Sequence, residues 1–224
     1  MTEALSPAPG GAGLRERKKQ QTRDEIAAVA TRLFVERGFE KVTIAQVAEA
    51  AGVAKMTVTN HFPVKEDLVF DRREAIIAGL TDAVAARAPA QSALEAARRF
   101  YLDALAAGDP TLAHRGPDFA RLVESSPALV ARERQMHDQR ELALAEQLTH
   151  DMGAEPDDLR PRLAAAHIIG VIRVLYYEAR RRLLAAEPAA PLAEALTRAA
   201  NAAFDQFHGS LGDYGVKTEG ADSA

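Results

Sequence analysis

The sequence predicts an all-α protein, and three observations carry that prediction. Apolar residues recur at helical spacing, as in Ile26, Val29, Ala30, Leu33 and Phe34. Ala and Leu, both strong helix formers, dominate the composition, and no alternating β-branched run is long enough to demand a sheet. Helix start and stop signals stand at the ends of the periodic stretches. Within this frame the chain divides into an N-terminal three-helix unit over 14–63 and a larger helical unit over 64–211, with tails at 1–13 and 212–224 expected to be disordered.

The elements follow in order. Residues 1–13 are rich in Pro, Gly and Ala, and Gly10 to Gly13 is no phosphate loop, since no strand precedes it. Arg15, Arg17, Lys18, Lys19 and Arg23 come next with only Glu16 against them, which reads as a phosphate-touching arm or a solvated helix start. The first helix runs to Arg37, Gly38 ends it, and Phe39 can fold back on its last turn. Thr43 and Gln46 form a capping box, and Val42 with Val47 supplies a hydrophobic staple, so two signals start the second helix at one residue. Gly52 stops that helix, Val53 re-enters the core, and a third helix occupies Lys55 to Asn60, with Val58 inward and Pro63 beyond. Val64 to about Ala86 reads as a fourth helix with Leu68, Val69, Ile76, Ile77 and Leu80 on a broad apolar face. Then come Ser92 to Ala107, a loop-rich interval around Gly108 to Pro117, and a short helix from Asp118 to Glu124. A long helix is capped by Ser126 with Pro127 at its first position and ends at Gly153. A second long helix starts between Asp157 and Pro161 and reaches Ala186, and a last one spans Leu192 to His208.

The short third helix carries donors on its outer face: Lys55, Thr57, Thr59, Asn60 and His61. A lysine in a first helical turn opposes the macrodipole, which makes sense where a phosphate or a guanine edge waits outside. The reading is a helix-turn-helix that lays this helix in a DNA major groove; the alternative is a solvated helical hairpin.

The run from Leu33 to Leu68, LFVERGFEKVTIAQVAEAAGV followed by TVTNHFPVKEDL, resembles the DNA-binding domain of TetR-family transcriptional regulators. The resemblance covers about the first third of the chain and departs from the family pattern at Ala54, where a capping serine is usual, and at Thr59, where a tyrosine is common. It implies double-stranded DNA as a partner, Lys65 as a phosphate contact, and a contact set of Thr43, Lys55, Met56, Thr57, Thr59, Asn60, His61 and Lys65. It also implies a C-terminal domain that binds a small-molecule effector and dimerises through the last two long helices.

Charge distribution agrees with a DNA-binding head. The net charge is −4, but residues 1–65 carry 10 Lys and Arg against 7 Asp and Glu, a balance of +3, leaving −7 for the rest. Cysteine is absent, which excludes disulfides and thiolate metal sites, and none of the six histidines forms an i, i+4 pair suited to zinc. No apolar run approaches a membrane span and no signal pattern opens the chain, so a soluble cytoplasmic protein is expected. No Glu-x-x-His pair, nucleophile elbow, P-loop or dinucleotide fingerprint is present, so no catalytic residue, metal or cofactor is expected and the chain is not read as an enzyme.

In the body, Ala164 to Leu175 is apolar almost all round, with Gly170 in its middle. The last helix adds a stripe of Leu192, Leu196, Ala199, Ala200, Ala203 and Phe207. One side of this pair can face its own body and the other a two-fold copy, so Gly170, Leu192, Leu196, Ala199, Ala203 and Phe207 are expected at a dimer interface. Such a dimer suits a palindromic operator with half-sites about 34 Å apart or somewhat more. Candidate effector contacts are Phe100, Tyr101, Phe119, Met136, His137, Arg140, His167, Arg173, Tyr176 and Tyr177, while Arg180, Arg181 and Arg182 suit a helix end and solvent. The expected function is a repressor released by its effector, for which a coupling of about 1–3 kcal/mol suffices. A ligand-blind architectural DNA protein is the alternative.

Overall fold

A computed structural model describes residues 10–109 and 116–217. Among them lie nine α-helices, a single 3₁₀ turn and no strand. The chain forms two compact units that divide after Asp71.

The first unit holds α1 (Gly10–Arg37), α2 (Ile44–Ala50), α3 (Lys55–His61) and the 3₁₀ turn Lys65–Leu68. Its core is the helical stripe of α1, Ile26, Ala27, Ala30, Leu33 and Phe34, packed with Phe39, Val42, Val47, Val58, Phe62 and Leu68, each no more than 6% exposed. Gly38 adopts a left-handed backbone (φ +86) and its N–H donates to the Phe34 carbonyl at 2.8 Å, which closes α1. Phe39 then turns back to lie 5.0 Å from the Phe34 ring. The capping box at Thr43 forms as its residues dictate: the Gln46 N–H donates to the Thr43 hydroxyl at 3.2 Å, and the Thr43 N–H to Gln46 Oε1 at 2.8 Å.

The second unit holds α4 (Arg73–Ala85), α5 (Ala93–Ala106), α6 (Pro117–Glu124), α7 (Pro127–Met152), α8 (Arg160–Leu184) and α9 (Ala189–Leu211). Its core joins Leu80 and Val84 of α4, Ala97 and Tyr101 of α5, Leu144 and Leu148 of α7, Ile168 and Ile172 of α8, and Leu196 and Phe204 of α9. Ser92 caps α5 with a second capping box to Glu95, and Ser126 caps α7 ahead of Pro127.

Three expectations change. The single helix over 64–86 is a 3₁₀ turn and a separate α4, because Leu68, Val69 and Phe70 are buried in succession and one helical face cannot bury three adjacent side chains. The first helix starts at Gly10, ahead of the boundary at 14, and the tail over 1–9 lies outside the described residues. The second tail is ordered over 212–217. There the Ala90 N–H donates to Lys217 O at 2.9 Å, the Lys217 N–H to Gln91 O at 3.2 Å, and buried Arg87 donates from Nε to Gly215 O at 2.8 Å. Arg87 also pairs with Asp151 and donates to Val84 O, both from Nη1, so three acceptors meet the guanidinium. Residues 218–224 lie outside the description.

Candidate nucleic-acid interface and internal cavities

α3 is anchored on one side and bare on the other. Val58 is fully buried, while Lys55, Met56 and Asn60 are exposed, Met56 at 69%. Lys55, Asn60 and the Thr57 hydroxyl have no partner among the described residues, so their donors are open to an external acceptor. Thr59 differs: its hydroxyl donates along its own helix to Met56 O at 3.1 Å. Such back-bonding satisfies the proton and leaves only an acceptor facing outward. Ala54 precedes α3 with extended backbone and no side-chain cap. Thr43 is exposed, but its hydroxyl is engaged in the α2 cap.

Two cations of the first unit brace its fold: Arg23 reaches the end of α3 and Lys65 the segment after α1. The Arg23 guanidinium donates to the His61 carbonyl and, at 3.1 Å, to the Asp71 carbonyl, and lies 4.4 Å from the Phe62 ring centre. It ties α1 to the end of α3, where the sequence suggested a phosphate arm. Lys65 donates from Nζ to Phe39 O at 2.6 Å and sits 4.2 Å from the Phe39 ring centre. Burial pulls its pKa below the usual lysine value, with Glu40 and Glu66 opposing. At least one of its three protons is therefore committed within the fold. Burial, then the Arg23 and Lys19 charges, also lower the His61 pKa, which favours a neutral ring at this edge. Arg15, Arg17, Lys18 and Lys19 are exposed along α1.

In the body, the inward face of α7 carries Leu129, Glu133, Met136, His137, Arg140 and Leu144 at helical spacing, all buried. Glu133 is fully served: Tyr176 donates its hydroxyl at 2.7 Å, and Arg180 donates to both oxygens at 2.9 and 3.0 Å. Sequence reasoning missed this pair and gave Arg180 to solvent; the signal was an acid set within an apolar helical stripe. His137 stands edge-on to Tyr176 and Tyr177, with ring centres 5.5 and 5.9 Å apart, and neither of its nitrogens has a partner. Burial, reinforced by Arg140, Arg173 and Arg180, pushes its pKa down to about 4. The Tyr101 hydroxyl is buried and unpaired, and burial raises its pKa.

Two hollows border this face. His137, Tyr177, Arg134, Arg173 and Arg180 line a cleft of about 480 Å³ together with Val130 and Asp138. Arg140 and Phe100 line a cavity of about 190 Å³ with Ile76 and Gly79. Phe119 and Met136 are buried side chains of the body. His167 is not an inward group: it is exposed, bonds the Leu163 carbonyl and lies 5.2 Å from the Phe207 ring on the outer side of α8. Of the expected interface residues, Leu192 and Leu196 are 3% and 0% exposed within their own core, so they are not surface groups. Gly170, Ala199, Ala203 and Phe207 are partly exposed, and a side chain added at Gly170 would meet nothing within 4 Å. Among the described residues, no group of three or more His, Asp or Glu could hold a metal ion.

Residues 26–71 match the family model of bacterial regulatory proteins of the tetR family, and residues 87–208 match that of the MftR C-terminal domain. The HTH-type transcriptional regulator TcmR of Streptomyces glaucescens is 33% identical over 187 residues, covering 79% of this chain and 81% of that protein. Among solved structures, SmeT in complex with triclosan aligns with a TM-score of 0.54 at 16% identity, over 85% of this chain and 91% of that one. The fatty acid degradation regulator FadR of Bacillus halodurans aligns at 0.52 and 20% identity, over 84% and 98%. These two share the fold. With a capped helix-turn-helix head, a helical body and both halves matched, the chain belongs to the TetR family of DNA-binding transcriptional regulators.

Proposed function

We propose that this regulator is a homodimeric repressor that reads a palindromic operator with α3 and leaves it when a small molecule occupies the body. The observation that carries the reading is the bare face of α3, where Lys55, Thr57 and Asn60 present unpaired donors above a fully buried Val58. Lysine and asparagine there suit guanine and adenine edges, and the threonine hydroxyl suits a phosphate or a base. The positive balance of residues 1–65 supports the same side for phosphate contact. His61 and Met56 flank this face, Lys65 retains donors beyond its Phe39 bond, and Thr43 and Thr59 contribute through acceptors or methyls.

The partner for the body is a second copy. On α8, Leu163, His167, Gly170 and Val174 fall at i, i+4, i+7 and i+11, one helical face, with Leu163 55% and Val174 64% exposed. Ala199, Ala203 and Phe207 of α9 complete an apolar strip that a two-fold mate would cover. The unpaired Tyr101, His137 and Arg140 and the two hollows support a ligand site in the same body. The work belongs in the cytoplasm, with the DNA; among the described residues no helix is long and apolar enough to cross a membrane.

Fluorescence anisotropy with a DNA fragment from upstream of the protein's own gene tests the reading. We expect a sequence-selective complex that weakens steeply with salt. Lys55→Ala and Thr57→Ala should each cost about 1–3 kcal/mol on operator and less on random DNA. Equal losses on both would reduce these residues to phosphate contacts, and absence of any selective complex would sink the proposal.

A further inference from the structure

Arg140 breaks a rule that the rest of the body keeps. Two other inward cations are matched: buried Arg87 by Asp151 and two carbonyls, and partly buried Arg180 by Glu133. Arg140 is 4% exposed, its Nε lacks a partner, and no ion pair reaches it among the described residues. The buried carboxylate on the same helix face, Glu133, is already taken by Tyr176 and Arg180. Burial lowers the Arg140 pKa to about 10, opposed by Tyr176, so the group stays charged at neutral pH. A desolvated charge without a counter-charge costs several kcal/mol, and a fold rarely keeps one that serves only packing.

The surroundings say what would neutralise it. Arg140 faces the cavity of about 190 Å³ whose wall includes the apolar Ala75, Ile76, Gly79 and Phe100. Asp109 and Arg72 complete the lining, and Arg72 adds a second positive charge. His137, one turn earlier, lines the other cleft and is not part of this wall. A guanidinium fork matches two coplanar oxygens on one carbon. The apolar part of this small wall, Ala75, Ile76, Gly79 and Phe100, suits a hydrocarbon body behind that head.

We propose that the body binds an organic acid whose carboxylate pairs with the Arg140 guanidinium while its apolar part lies against Phe100 and Ile76. This rests on the reading of the body as an effector domain and supplies the chemical class of the effector. A phosphate monoester would bring more charge and less apolar surface than this cavity offers.

The test uses the full chain, calorimetric titration and three acids, benzoate, phenylacetate and octanoate, each beside its neutral amide, with inorganic phosphate as comparator. We expect at least one acid to bind, its amide to bind at least about 30-fold more weakly, and Arg140→Met to lose the acid by a similar factor, as removal of one partner of a buried charged pair should. Equal binding of acid and amide overturns the proposal, as does failure of all three acids or preference for phosphate. The acid–amide comparison needs only the unaltered protein, so it stands if the variant does not fold. Release of operator DNA is read in parallel. Release by amides as well as acids removes the carboxylate and leaves an effector-responsive regulator. An acid that binds through Arg140 without displacing DNA keeps the site and removes the release mechanism.

Discussion

His137 shows how a single side chain sets a pH response. The unfolded chain binds a proton there below about 6.5, whereas the folded chain refuses it down to about 4. Between those values the unfolded state holds more protons, so stability falls as pH drops through the window and is complete above it. The ring is 5% exposed, so solvent relieves little of the cost. Urea unfolding at pH 7 and pH 4.5 should differ on this account by on the order of 3 kcal/mol, and His137→Gln should remove most of that difference. An unchanged slope in the variant would assign the acid sensitivity elsewhere. The side chains that sequence reasoning placed well are those whose partners lie nearby along the chain. Thr43 with Gln46, and Ser126 with Pro127, are legible because a cap is written within four residues. The intramolecular bonds of Arg23, Lys65, Arg87 and Arg180 were missed for the opposite reason. Their acceptors are mostly carbonyls or acids far along the chain, 38 and 48 residues away for Arg23, and a carbonyl has no sequence signature.

At the scale of elements, α3 and α8 present the same problem in two forms. Each is a helix with one face accounted for and another that nothing in its own unit covers. For α3 the open face is polar, and the proposed occupant is DNA. For α8 the open face is apolar, with Val174 64% exposed. Val174→Glu adds a charge that water solvates in a lone protomer but that a mated face must desolvate. We expect the variant to keep its helical circular dichroism and to sediment as a monomer at concentrations where the parent is a dimer. A variant that still pairs would locate the interface elsewhere, and a monomeric parent would overturn the dimer. The order and ends of the helices were readable from caps and periodicity to within a few residues. The fourth helix was not, since a run such as Leu68, Val69 and Phe70 is apolar at every phase and periodicity alone cannot tell helix from turn there. Leu192 and Leu196 were assigned to the partner-facing stripe, yet they fill their own core. A sequence stripe gives the angle of a face around its helix but not which body that face meets.

At the scale of the whole molecule, residues 1–65 carry a balance of +3 and the remainder −7, and each of the two compact units carries its own buried core. The charge contrast was legible because it is a property of long stretches, whereas the compact units divide after Asp71, beyond the boundary expected at 63. The hollows of the body were not legible, because a cavity is made of what fails to meet between helices. The arrangement around Arg87 bears on how this protein can be shortened or tagged. A stop codon after Gly212 would remove few residues, yet it would strip a buried guanidinium of the Gly215 carbonyl and the segment 89–91 of its backbone mate. We expect such a product to lose about 2 kcal/mol or more in denaturant titration, far beyond what its missing length suggests, whereas ending at Lys217 should be tolerated. The last turn of the chain thus behaves as a latch closed from within, and fusion partners belong beyond it.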